Sequence, residues 1–178
     1  MNSSVRESFN LRNGTSVSKR FGQRSSGVDE NTYIVETDAR AAWYLTIQGF
    51  HHPSGLSLIV DAWAGAKLGL IVVCFGGNCV FGDVSNPDSF KQVAVDVATC
   101  FSINNDRNCI LIGGISGFVV IDDLGRNFYH EYAGREVISC GFTPGGRPYF
   151  KAENSFGEIE ILTLEPDQGW IVQKMSSE

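Results

Sequence analysis

Apolar residues recur along this chain as short runs and alternations, at residues 58–60, 70–73, 79–81, 100–103, 110–112, 118–121, 128–132, 137–140, 149–152, 158–162 and 170–172. Runs this short, rich in β-branched and aromatic residues and separated by Gly, Asn, Asp and Pro, predict strands joined by tight turns. No stretch carries a convincing helical stripe; residues 90–97 come nearest and read equally well as a strand. The opening segment, 1–28, is polar and rich in Ser, Arg and Gly, so it is expected to be a disordered tail. A single all-β domain is expected over 29–178.

The pattern repeats. A shift of about 40 residues lays LGLIVVCFGGNCVFGDV (68–84) on NCILIGGISGFVVIDDL (108–124), and a second shift reaches PYFKAENSFGEIEILTL (148–164). Gly77, Gly117 and Gly157 coincide, and so do Val60, Cys100 and Cys140, while large rings fall at Phe50, Phe90, His130 and Trp170. One shift back gives a degraded copy over 31–50, with Thr37 in the glycine position. Its first strand would fall on SKRFGQ (18–23), a poor strand by pattern.

Each copy therefore reads as a four-stranded antiparallel meander, which in length and strand count resembles a β-propeller blade. The resemblance covers about 31–174, and the signature dipeptides of the WD40 class are absent. It implies about four blades, closed as a ring within one chain or completed by a second copy of it. A β-sandwich uses the same patterning and is the alternative fold.

Composition narrows the partners. The net charge of −6 speaks against nucleic acid, whose phosphates call for clustered Lys and Arg. No apolar run approaches the ~20 residues that cross a bilayer, and the N-terminus has no apolar signal core. The expectation is a cytoplasmic protein with no membrane partner. Five cysteines without CxxC spacing are then expected as buried free thiols. Cys74 and Cys79 flank a Gly-Gly-Asn turn and could face each other across a hairpin, but a bridge is not expected in a reducing compartment.

Candidate chemistry is sparse. His51 and His52 sit together in FHHPSG, without HxH or HExxH spacing or an adjacent third ligand, so no metal or cofactor is expected. Gly113-Gly114 and Gly145-Gly146 lack the Lys-Ser/Thr and the helix of a phosphate loop. Asp122 and Asp123, adjacent on a strand, point to opposite faces. No catalytic set emerges. The polar feature that follows the repeat is Lys67, Arg107 and Arg147, in the turns between first and second strands. Asp88, Arg126 and Asp167 occupy turns at the same end, making a ring of charged loops. The opposite end gathers His51, His52, Asp96, Gly134-Arg135 and the glycine turns.

These features lead to a non-enzymatic module that binds another protein through loops at one end of the scaffold, for instance an inhibitor or immunity-type protein masking a basic partner. Two alternatives stand beside it: a lectin-like binder of glycans or small molecules that uses the repeated rings, and a hydrolase that uses His51 and His52.

Overall fold

The structure is a computed structural model. It describes residues 8–10, 16–25, 28–37, 40–50, 55–56, 58–61, 70–104, 109–122, 126–165 and 171–175. Among the described residues sixteen strands form four sheets, each with its strands in chain order and each antiparallel. Sheet 1 holds β1 (Ser8–Asn10), β2 (Ser16–Ser25), β3 (Val28–Thr37) and β4 (Arg40–Phe50). Sheet 2 holds β5 (Leu58–Asp61), β6 (Leu70–Phe75), β7 (Asn78–Asp83) and β8 (Lys91–Gln92). Sheet 3 holds β9 (Ala98–Asn104), β10 (Cys109–Gly114), β11 (Gly117–Ile121) and β12 (Asn127–Glu131). Sheet 4 holds β13 (Arg135–Phe142), β14 (Pro148–Asn154), β15 (Ile159–Glu165) and β16 (Ile171–Met175). The fold is all-β; among the described residues the helical segment is a single 3-10 turn, Pro87–Ser89, which precedes the stretch that could have been read as a helix.

The sheets stack through alternate faces of their middle strands. Leu70, Val72 and Cys74 of β6 pack with Ile110 and Ile112 of β10, while Ile71 and Val73 turn the other way onto Tyr33, Val35, Leu45 and Ile47 of sheet 1. Cys109 and Leu111 of β10 face Phe150, Ala152, Leu162 and Leu164 of sheet 4. This explains the unbroken apolar runs LIVVC and CILI: a strand buried on both faces has no polar side to show. Burying one such Ile or Leu contributes about 1.5–3 kcal/mol. The described clusters join sheets in chain order, and none of them joins the fourth to the first.

Gly77 and Gly157, both with positive φ, lie in the turns between the second and third strands of sheets 2 and 4, and Gly117 opens the third strand of sheet 3. On the same spacing β3 and β4 correspond to β6 and β7. Sheet 1 thus carries two strands before that hairpin and none after it.

Two expectations are corrected here. The segment 1–28, read as a disordered tail, contributes β1 and β2, and β2 pairs with β3 from Ser16↔Glu36 to Ser25↔Val28. The poor pattern of SKRFGQ is overridden by the long ladder to β3, while β1 pairs only with residues 16–18 of β2. The cysteines are not all thiols: Cys74 and Cys79 are joined in a disulfide, which Cys100 and Cys140 are not part of. Cys74 and Cys79 are directly opposed across the β6–β7 hairpin, with Cα atoms 4.1 Å apart. Close cross-strand opposition brings the sulfurs together. Among the described residues no helix is long and apolar enough to cross a membrane.

Candidate functional site at the glycine-turn end

An antiparallel meander sends the turns after its second strands to the same end as the connections between sheets. That end is tightly built. The Gly77 carbonyl accepts from the Ala98 amide at 2.8 Å, the Val97 carbonyl from Ile115 at 3.2 Å, and the Ser116 carbonyl from Tyr132 at 2.7 Å. Ser116 Oγ also donates to the Asp96 carboxylate. The hairpin turns of sheets 2 and 3 are therefore bonded to the connections beside them.

The last of these hairpins is the most elaborated. Asn154 Oδ1 accepts from the amides of Phe156 (3.0 Å) and Glu158 (2.9 Å), and Asn154 Nδ2 donates to Glu158 Oε2 at 2.6 Å. The Gly157 amide closes on the Asn154 carbonyl at 3.0 Å. This ordering of an Asx-type turn holds Phe156 out into solvent, with 89% of its surface exposed. Ile159, the first residue of β15, is 52% exposed beside it.

A recess of about 220 Å³ lies against this hairpin, lined by Ile115, Gly134, Arg135, Glu136, Ile138, Glu153, Asn154 and Ser155. Its shape depends on an irregularity: the β13–β14 register slips between Val137 and Ser139. A bulge of this kind re-aims a side chain. Val137 stays fully buried, whereas Ile138 turns outward to line the recess.

The charges around it are mostly acidic. Glu136 and Glu153 line the recess, and Glu131 and Glu158 are exposed on adjoining segments. The one cation in the lining, Arg135, is already engaged. Its Nη2 meets Glu160 Oε1 at 2.9 Å, its Nη1 donates to the Glu158 carbonyl at 3.1 Å, and its guanidinium lies 5.7 Å from the Tyr132 ring centre. Tyr132 donates to the other oxygen of Glu160. The site thus offers apolar surface and carboxylates, with its arginine spent on internal structure.

The residues singled out from sequence fare differently. Lys67, Arg107, His51 and His52 lie outside the described residues. Arg147 is exposed but bonded to Glu165 Oε1 at 2.7 Å, and Arg126 is bonded to Asp122 Oδ2 at 2.7 Å. Both described arginines of the charged ring are satisfied by a carboxylate on their own sheet. Two of the repeated rings serve packing: Phe90 sits edge-on to Trp43 at 5.3 Å, and His130 lies 5.1 Å from Phe118. The side chains of Phe50 and Trp170 are outside the described set. Gly113-Gly114 is no loop but the buried end of β10.

Cys100 and Cys140, matched by the repeat, do come together. They lie on β9 and β13, with Cys100 Sγ 3.7 Å from the Val137 carbonyl of β13 and Cys140 Sγ 3.8 Å from the Leu111 carbonyl of β10, and each thiol is the leading influence on the other's titration. The Cys140 hydrogen bond holds the Cys100 thiol below the ordinary thiol range against its burial, and the Gly113 backbone and Thr99 help. The same bond, with burial, pushes the Cys140 thiol far up. Among the described residues no group of three or more His, Cys, Asp or Glu is arranged to hold a metal ion.

Phe156 and the recess beside it were missed by sequence reasoning. The signal was present: in ENSFGE an aromatic stands at the tip of a turn, where polar residues are the rule. The chain matches no protein-family model, and the search of curated proteins returns no match.

Proposed function

We propose that this protein is a protein-binding module, with its binding surface at the glycine-turn end of four stacked, blade-like sheets. The observation that carries this reading is Phe156. A large ring held in solvent by a turn ordered around Asn154 costs little to immobilise on binding, which is how preorganised loops contribute affinity. Ile138 and Ile159 extend the apolar surface, and the carboxylates of Glu136, Glu153 and Glu158 favour a partner with basic residues around an apolar contact. An inhibitor or immunity-type protein that masks a basic surface fits this description. The propeller-like reading rests on the four sequential meanders and their stacking in chain order.

The test is affinity capture from the native host with the wild-type chain and with Phe156→Asp, side by side. A protein recovered in stoichiometric amount by the wild type and lost with the variant, at equal thermal stability, supports both the function and the site. Equal recovery by both chains moves the site elsewhere. Recovery of no partner by the wild type sinks the protein-binding reading.

A further inference from the structure

We propose that Cys100 and Cys140 form a dithiol site that reacts with small-molecule disulfides and closes into a bond between sheets 3 and 4. The inference is independent of the protein-binding reading and rests on the seam between β9 and β13.

Cys100 and Cys140 are half-buried on the first strands of successive sheets, both packed against the cluster of Leu111, Val137 and Phe150. Two features of the backbone make room for them. Gly113 stands opposite Cys100 in the β9–β10 ladder, and a Cβ there would lie 2.5 Å from Cys100 Sγ and 2.5 Å from Val137 Cγ1. The sulfur therefore occupies space that any other residue at 113 would fill. The bulge in β13 follows Val137, whose carbonyl accepts from Thr99 Oγ1 at 2.5 Å and lies 3.7 Å from Cys100 Sγ. These contacts clamp the two edge strands together at the level of the thiols. The Cys140 thiol lies 3.8 Å from the Leu111 carbonyl, on the same strand β10 that carries Gly113 opposite Cys100.

The pair is chemically asymmetric. Cys100, the thiol held low, is the nucleophile, since the thiolate is the reacting form; Cys140, held protonated, is the resolving thiol. Cys100 loses its proton and attacks one sulfur of a disulfide such as oxidised glutathione, expelling a thiolate that takes up that proton and leaving a mixed disulfide. Cys140 then gives up its proton, attacks the Cys100 sulfur and expels the second small thiol. Two protein thiols are oxidised to one bond and one small disulfide is reduced to two thiols, with no other electron carrier. Cys109, whose side chain is buried, is not a partner in this exchange.

The experiment uses the full chain and oxidised glutathione, with acid quenching, alkylation and tryptic peptide mapping. Cleavage at Arg107, Arg126 and Arg135 places Cys100, Cys109 and Cys140 in separate peptides. The expected result is a cross-linked pair of the Cys100 and Cys140 peptides, with Cys109 alkylated and no glutathione retained. The Cys140→Ser chain should instead keep one glutathione on Cys100. If that chain fails to fold, the wild-type map decides by itself. Alkylated Cys100 and Cys140 after prolonged exposure, a persistent glutathione adduct on wild-type Cys100, or a bond to Cys109 would each overturn the assignment.

Discussion

Asn154 accepts the amide of Phe156 at 3.0 Å, so the residue that orders the β14–β15 turn also sets the direction of its most exposed ring. The relationship separates two roles that mutation can distinguish. Asn154→Ala removes hydrogen bonds to two amides and to Glu158, and should destabilise the chain by about 1–2 kcal/mol. It should also weaken partner binding, because the ring is no longer preorganised. Chemical denaturation read beside binding checks both; unchanged stability would show that the turn holds itself without Asn154.

Phe156→Ser should behave in the opposite way. A ring with 89% of its surface in water contributes almost nothing to the fold, so the change in stability should stay within about 0.5 kcal/mol. As a central aromatic contact its loss should weaken binding at least tenfold. Calorimetry with the captured partner gives the number. A loss below twofold would remove Phe156 from the site.

How much of this was legible in advance follows from where the physics is local. The runs LIVVC and CILI announce strands buried on both faces, and the spacing of Gly77, Gly117 and Gly157 locates the hairpins. The equal positions of Cys100 and Cys140 in adjacent copies were also visible, although the sequence led to an expectation of buried free thiols. What escaped depends on neighbours distant in sequence. β2 has no strand pattern of its own and is held by its long ladder to β3, with β1 beside residues 16–18 only. The Cys74–Cys79 bond was discounted on the compartment expected from the N-terminus, although the hairpin register alone brings the two residues face to face. Ile138 reads as an ordinary interior strand residue, and the bulge that turns it outward cannot be read from its neighbours. The basic ring was inferred from spacing, but spacing does not reveal that Glu165 already neutralises Arg147.

The two described ion pairs of sheet 4 should therefore differ in worth. Arg147 is 58% exposed, so Arg147→Ala should cost no more than about 1 kcal/mol and leave binding unaltered. Arg135 is 17% exposed and bonds both Glu160 and the Glu158 carbonyl; Arg135→Ala also strands a half-buried carboxylate and should cost about 2–3 kcal/mol. Urea denaturation at low and high salt checks the contrast. The Arg147 effect should fade with salt more than the Arg135 effect. If the triple change Lys67→Ala, Arg107→Ala, Arg147→Ala abolishes binding at low salt, the charged ring is the binding end after all.

The last prediction concerns pH and the two thiols. Cys100 is held below the ordinary thiol range by the hydrogen bond from Cys140, helped by the Gly113 backbone and Thr99, and opposed by burial and the charge of Glu136. Its alkylation rate should therefore rise with pH through a midpoint lower than that of a free thiol, about 8.5. Cys140 is pushed the other way by the same bond and by burial, so it should stay unreactive across that window. The sign is checkable by removing the donor. Cys140→Ala takes away the largest influence holding the Cys100 thiol down, leaving burial and Glu136 to raise it, so the Cys100 midpoint should move up. Glu136→Gln removes the opposing charge and should move it down by a smaller amount. Stopped-flow iodoacetamide labelling with peptide mapping reads each midpoint separately. A Cys100 midpoint at or above the free-thiol value in the wild type, or no upward movement in Cys140→Ala, would show that the two thiols do not act on each other.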